Sequence, residues 1–295
     1  MRKLRMCESG KGLLIYKKTD AERNQGFIQM LLEEARLQDI SLQLVFEEDL
    51  SFGVTGNKLS LTHPISDVGD ISFAIMRTIN PLLSKQLEQL KITCFNPAYV
   101  SEICNDKAVT YQYIAGLGIP MLDTYFVSNE TFDGDDLALT FPMVLKQSDG
   151  RGGKEVYLVH SVEEILDKLH ELPNKRFVLQ EFADNPGKDI RVFVLGNEVI
   201  GAVLRESTTS FKANYTLGGT VRPYLLNESE LELVGRIFSS LKADFIGIDF
   251  LLNKQGDLLF NEIEDVVGCR SLYSTSDVNA AALYMDYIKK SIECR

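Results

Sequence analysis

Apolar and polar positions alternate along this chain in two rhythms, and their order predicts its architecture. Residues 12–16 (GLLIY) form an unbroken apolar run of strand length, and residues 40–46 alternate with a period of two. Between them, residues 20–38 place Phe27, Leu31, Leu32 and Ala35 along one side of a helix and acidic side chains on the other. A buried strand over 71–76, an amphipathic helix over 82–90 and a strand over 92–95 follow, until Asn96-Pro97 interrupts the pattern. Strands alternating with helices imply right-handed crossovers and a mainly parallel sheet.

Past the proline, the spacing predicts a helix over 99–116, closed by Gly118-Ile119-Pro120, then strands over 124–127, 143–146 and 155–159 and a helix over 162–169. The last stretch is strand-rich: 177–182, 189–195, 198–204, a helix over 228–241, a hairpin within 245–264 and a final helix over 278–292. The expected organisation is an N-terminal α/β domain (1–97), a central unit (98–176) and a C-terminal unit (177–295), the last two of α+β type. Residues 148–154 form the one predicted mobile loop, and no repeat or low-complexity segment interrupts the order.

Composition narrows the function. The chain has 295 residues, 45% of them hydrophobic and 25% charged, enough to bury a sizeable core. A net charge of −11 argues against nucleic acid or an anionic membrane as a partner, while leaving room for a local basic cleft. No apolar run approaches the roughly 20 residues of a membrane span, and the basic start is followed by too short an apolar stretch for a signal peptide. The five cysteines contain no Cys-x-x-Cys pair, and the three histidines are scattered. A reducing, cytoplasmic setting is expected, with neither a disulfide framework nor a zinc site. The oligomeric state is open, a homo-oligomer included.

Three constellations carry chemistry. In GIDFLLNKQGDLLFNEIE (247–264), counting back from the turn Lys254-Gln255-Gly256-Asp257 sets Asp249 opposite Glu262 and Leu251 opposite Phe260, with Glu264 on the same face as Glu262. Facing carboxylates destabilise a sheet unless a cation compensates, and an all-oxygen set suits Mg²⁺ or Mn²⁺. A solvated acidic hairpin is the plainer alternative, but the apolar Ile248, Phe250 and Leu252 favour burial. In KQSDGRGGKEV (146–156), Lys146 ends a strand and Gly150, Gly152 and Gly153 permit a backbone cradle for phosphate oxygens, although a simple hairpin loop would read alike. Finally, Lys107, Arg191, Arg205, Lys212 and Arg222 sit among apolar neighbours, a set better explained by an anionic ligand than by separate surface charges.

In this order, NPAYVSEICNDKAVTYQYIAGLGIP, FPMVLKQSDGRGGKEV, VLQEFADNPGKDIRVFVLGNEVIGAVLRES, FKANYTLGGTVRP and GIDFLLNKQGDLLFNEIEDVVG resemble the ATP-grasp superfamily, and more closely its RimK-type α-L-amino-acid (glutamate) ligases. The resemblance covers about residues 96–272 and the N-terminal unit loosely. It implies an ATP-grasp fold with ATP held between two α+β subdomains, preceded by a parallel-sheet α/β domain. By motif position, Lys107 and Lys146 resemble the nucleotide lysines, with Gly152 and Gly153 in the loop over the phosphates. Gln180, Glu181 and Phe182 resemble the adenine hinge, Asp189 the ribose carboxylate and Arg205 the phosphate-facing arginine. Lys212 stands where many relatives have arginine, two residues before Asn214, and Asp249, Glu262 and Glu264 occupy metal positions. Two departures stand out. The family's Glu-x-Asn reads Glu262-x-Glu264, and the expected proline is missing from Glu264-Asp265-Val266-Val267-Gly268, which precedes Cys269-Arg270.

The implied reaction activates a small-molecule or peptide carboxylate as an acylphosphate and joins it to an amino-acid amine, releasing ADP and phosphate. Lys146, Arg205 and Asn214 would act at the reacting phosphoryl group. Arg191, Asn214, Gly218, Gly219 and Arg270 are substrate-side candidates, with Arg77 and Asn24 from the first domain. Arg77 follows a buried strand, where either a substrate carboxylate or a structural salt bridge would suit it. A regulatory ATP-binding module without ligase activity, and a phosphotransfer enzyme without amide formation, are the competing readings.

Overall fold

The computed structural model describes residues 11–63, 71–134, 140–153, 155–172, 174–207, 210–211 and 219–293. The N-terminal unit runs β1 (Lys11–Tyr16), α1 (Lys18–Arg23), α2 (Gln25–Leu37), β2 (Leu42–Phe46), β3 (Ser51–Thr55), β4 (Lys58–Thr62), β5 (Ile71–Met76), α3 (Pro81–Gln89) and β6 (Thr93–Phe95). Its parallel sheet has the order β2-β1-β5-β6. Leu13, Leu14 and Ile15 of β1 and Phe73, Ala74 and Ile75 of β5 are fully buried, as strands covered on both faces must be. Gly12 is required there, because a Cβ on it would stand 2.1 Å from the Phe73 ring. The expected helix over 20–38 is two helices that break at Asn24, whose side chain donates to the Asp20 carbonyl. The β3–β4 hairpin was not anticipated.

The next unit contains α4 (Ala98–Cys104), α5 (Lys107–Gly116), β7 (Thr124–Ser128), β8 (Met143–Gln147), β9 (Val156–Val159), α6 (Val162–Glu171) and β10 (Arg176–Glu181). The expected helix over 99–116 divides at Asn105-Asp106, and Asp106 caps α5 by accepting from the Ala108 and Val109 amides. An antiparallel sheet has the order β7-β10-β8-β9. β10, grouped with the C-terminal unit in the sequence reading, therefore completes this sheet.

The last unit holds β11 (Lys188–Leu195), β12 (Glu198–Glu206), β13 (Thr220–Pro223), α7 (Glu228–Leu241), β14 (Phe245–Leu252), β15 (Leu258–Glu264), α8 (Arg270–Thr275) and α9 (Ala280–Glu293). The bounds of α7 match the spacing, and a capping box between Asn227 and Glu230 fixes its start. β13 and α8 were unanticipated. The antiparallel sheet β13-β12-β11-β14-β15 sorts its side chains by parity. Ile190, Val192, Ile248 and Phe250 pack in one apolar cluster with residues of α5 and α7. On the opposite face, Phe193, Val203 and Phe245 join a cluster that also contains Ile28 and Leu31 of α2 and Tyr284 and Met285 of α9. That leaves Asp189, Arg191, Arg205 and Asp249, on the same face, at the end the first unit does not cover.

The hairpin register places Asp249 opposite Glu262, as expected, but by a different route. Leu251 faces Leu259 rather than Phe260, and the pairing steps by one residue between Asp249 and Phe250. Asn261 is the extra residue of a β-bulge. The bulge lets Phe260 and Ile263 share the core face while Glu262 and Glu264 share the other.

Candidate active site

A cleft opens between the β7–β10 sheet and the five-stranded sheet, with two chemically distinct ends. Leu122, Val144, Val156, Phe182, Phe211 and Leu251 make an apolar slot, and Lys107, Lys146, Asn261, Glu262 and the glycine loop at 150–153 make a polar end. An apolar slot ending in cations suits a planar base bearing phosphates.

Each lysine is positioned by its own element. Lys107 opens α5; its backbone amide donates to the Ser148 carbonyl at 2.8 Å, and its Nζ reaches the Gly150 carbonyl at 2.6 Å and Glu262 Oε1 at 3.1 Å. The helix start and the glycine loop are thereby tied together. Lys146, buried on β8, donates to Gln180 Oε1 at 2.7 Å and Asn261 Oδ1 at 2.9 Å. Gln180 Nε2 donates in turn to Thr124 Oγ1 at 2.9 Å, which fixes the amide orientation. Burial pulls the Lys146 ammonium down to about 8, opposed by the Glu262 carboxylate and reinforced by Lys107. A cation held by neutral amides in a desolvated cleft has its electrostatic reach unspent, and a phosphate would use it.

The charged row beside the cleft crosses three strands. Arg191 binds Asp249 through two 2.7 Å bonds and reaches Glu264 at 2.7 Å. Arg205 binds Asp189 at 2.5 and 2.7 Å and adds a 2.7 Å bond to Asp249 Oδ2. Burial pushes the Asp249 carboxyl up, but the two guanidiniums outweigh it and hold it at about 2. Among the described residues no three His, Cys, Asp or Glu side chains stand together as a group that could hold a metal ion. Arginines and a lysine balance the facing acids here. The donor set still fits a hard cation, since every candidate is oxygen and an ionised carboxylate offers about four acceptor positions, of which the arginines use three on Asp249.

Of the sequence candidates, Lys107, Lys146, Gly152, Gly153, Gln180, Glu181, Phe182, Asp189 and Glu262 line one cleft. Arg191, Arg205 and Asp249 are buried in the row beside it, with the Arg205 fork spent on two acids. Glu264 lines an adjoining cavity of about 170 Å³ together with Ile79, Asn105, Arg151, Asp265 and Val266. Arg270 lies elsewhere, exposed and donating to the Arg23 carbonyl at 2.8 Å, and Asn24 bonds within its own helix turn. Arg77 is buried away from both cavity walls. Lys212, Asn214 and Gly218 lie outside the described residues, and Gly219 precedes β13. Two residues that hold Lys146 were not among the sequence candidates: Asn261, and Tyr111, whose hydroxyl lies 3.5 Å from Lys146 Nζ and which reads in the sequence as an ordinary helix-face aromatic.

Residues 104–288 match the RimK-like ATP-grasp domain. The chain is 28% identical over 278 residues to N-acetylaspartylglutamate synthase A of Mus musculus, covering 88% of this chain and 73% of that protein. It is 28% identical over 216 residues to the glutamate–LysW ligase ArgX of Sulfurisphaera tokodaii, covering 70% of this chain and 77% of that one. Among solved structures, D-alanine–D-alanine ligase from Bacillus anthracis complexed with ATP superposes with a TM-score of 0.75 at 16% identity, over 97% of this chain and 98% of that chain, which establishes the fold.

Proposed function

Because the chain belongs to the RimK-like ATP-grasp family, we propose that it is an ATP-dependent carboxylate–amine ligase that forms an amide or peptide bond through an acylphosphate. The carrying observation is the convergence of Lys107 and Lys146, from different elements, with Glu262 and the glycine loop at the end of an apolar slot. ATP would lie with its base in the slot and its phosphates toward the lysines. The substrate carboxylate attacks the γ-phosphorus, ADP leaves, and an amine then displaces phosphate from the acyl carbon.

The protein's part is positioning and charge neutralisation. Lys146 is held on line by Gln180 and Asn261, and Lys107 by the loop it must close with. Lys212 and Asn214 belong to this reading by motif position alone. Asp249, Glu262 and Glu264 would hold Mg²⁺ or Mn²⁺, whose contribution is to neutralise phosphate charge. Closure of the glycine loop excludes water that would hydrolyse the acylphosphate. Glutamate, which the names of both relatives contain, is the amine to try first. The cytoplasm is the compartment in keeping with the unpaired, buried Cys94, Cys104 and Cys269, and no described helix is long and apolar enough to cross a membrane.

The test is mass spectrometry of products from ATP, Mg²⁺, glutamate and a library of acids. An amide product whose formation requires both acid and amine supports the ligase. Nucleotide binding without acid-dependent ADP release supports a regulatory module instead.

A further inference from the structure

The glycine loop carries an arginine that was absent from the sequence candidates. Arg151, between Gly150 and Gly152, is exposed and lines both the cleft and the adjoining cavity of about 170 Å³. Among the described residues its side chain makes one hydrogen bond, from Nη2 to Asn105 Oδ1, and no ion pair. Asn105 is fixed in turn. Its Nδ2 donates to the Ser101 carbonyl at 2.7 Å, to Ser101 Oγ at 3.1 Å and to Asp265 Oδ1 at 2.9 Å. The amide oxygen is therefore what faces the loop, and the guanidinium rests on a neutral acceptor. The loop beneath it is anchored, since the Gly150 carbonyl accepts from Lys107 Nζ at 2.6 Å.

The arginine that motif position assigns to the phosphates is engaged elsewhere. Arg205 is 3% exposed and stands outside both cavity walls. It holds Asp189 through Nε at 2.5 Å and Nη2 at 2.7 Å, and Nη2 also serves Asp249 at 2.7 Å. Arg191 is likewise spent on Asp249 and Glu264. Pulling either away would strand buried carboxylates without charge partners, a costly exchange. Arg151 has only a neutral amide to give up. It also stands where the two cavities meet, with Lys107, Gly150, Gly152 and Glu262. Resting on the ligase reading, we infer that Arg151, rather than Arg205, is the catalytic arginine that binds the transferring phosphoryl group. The carboxylate oxygen bonds to the γ-phosphorus as the bond to the ADP oxygen breaks. The amine nitrogen then bonds to the acyl carbon, phosphate leaves with the C–O electron pair, and the proton lost by nitrogen ends on that phosphate. A planar fork can stay on the phosphoryl oxygens through both steps and neutralise the charge that develops there.

Calorimetry with Mg·ADP and with the Mg²⁺ complex of β,γ-imido-ATP, which keeps the third phosphate, tests this without turnover. Arg151→Ala should bind Mg·ADP within about threefold of the wild type and the imido analogue at least about tenfold more weakly. In the turnover assay its kcat should fall about a hundredfold or more. Arg151→Lys should keep part of the rate, and guanidinium ion below its denaturing concentration should restore part of it to Arg151→Ala. An arginine that merely held the loop in place would give a different pattern, with both nucleotides weakened alike and nothing restored by guanidinium. That pattern overturns the inference, as does a kcat within about threefold of wild type. If Arg151→Ala does not fold, undiminished affinity for the imido analogue in Arg151→Gln decides against it. Failure of the ligase reading shows separately, as absence of amide product from the wild type.

Discussion

Arg191 holds Asp249 in a two-point grip, Nε to Oδ1 and Nη2 to Oδ2, both at 2.7 Å. With Arg205 on the second oxygen, the central acid of the row is balanced before any ligand arrives. Asp249→Asn leaves two buried guanidiniums short of charge and should cost about 3–5 kcal/mol in chemical denaturation. Burial raises the Asp249 carboxyl and the arginines more than reverse this, to about 2 against an ordinary 3.8. Its stabilisation is therefore complete above about pH 4 and lost as pH falls through about 2. Denaturation at pH 5 and pH 2 should show a loss of about 2 kcal/mol in the wild type that is missing from the variant.

Glu262 offers a cleaner probe of the metal role. Among the described residues it pairs with Lys107 at 3.1 Å, and its side chain is 31% exposed. Glu262→Gln should change stability by less than about 1 kcal/mol. Mg²⁺-dependent ADP formation should drop at least about a hundredfold. A rate within threefold of wild type would take Glu262 out of the metal set.

Lys146 sets a pH limit on nucleotide capture. With burial lowering its ammonium to about 8, the charge is present below that pH and lost above it. The kcat/KM for ATP should fall about tenfold per pH unit above 8. Lys146→Arg should move that limb beyond the measurable range, and Lys146→Ala should weaken ADP binding at least tenfold at pH 7 by calorimetry. An unaltered limb in the arginine variant would assign it to another group.

Gly12 tests the N-terminal core independently of catalysis. A methyl group there would meet the Phe73 ring at 2.1 Å, in the buried part of the two central strands. Gly12→Ala should destabilise by about 1–3 kcal/mol, and thermal denaturation should show it as a lowered Tm.

What the sequence disclosed and what it hid follow from how far each signal reaches. Buried strands such as Ile71–Met76 and the capped helix Glu228–Leu241 were legible because local pattern and tertiary burial agree. Helix breaks at Asn24 and at Asn105-Asp106 were hidden inside continuous periodicity. The Ser51–Thr55 strand and its partner escaped notice because each is short and mostly exposed or half-buried, although Phe52 and Val54, and Leu59 and Leu61, do alternate. At the cleft, the types and order of Lys107, Lys146, Asp189 and Glu262 sufficed to bring them together. The ion pairs that neutralise the acids join strands of one sheet that are far apart in sequence, such as Arg205 with Asp249 across the intervening β11, and no spacing rule encodes them.

The bulge at Asn261 has a further meaning for the acids beside it. Leu258, Phe260 and Ile263 all belong to the oily layer beneath the sheet, and they do so only because one residue is left over between the last two. Turning Glu262 away from the cleft would drag Ile263 out of the core. Insolubility on one side of the strand thus enforces alignment on the other, and the aim of a charged group is guarded by neighbours that take no part in its chemistry.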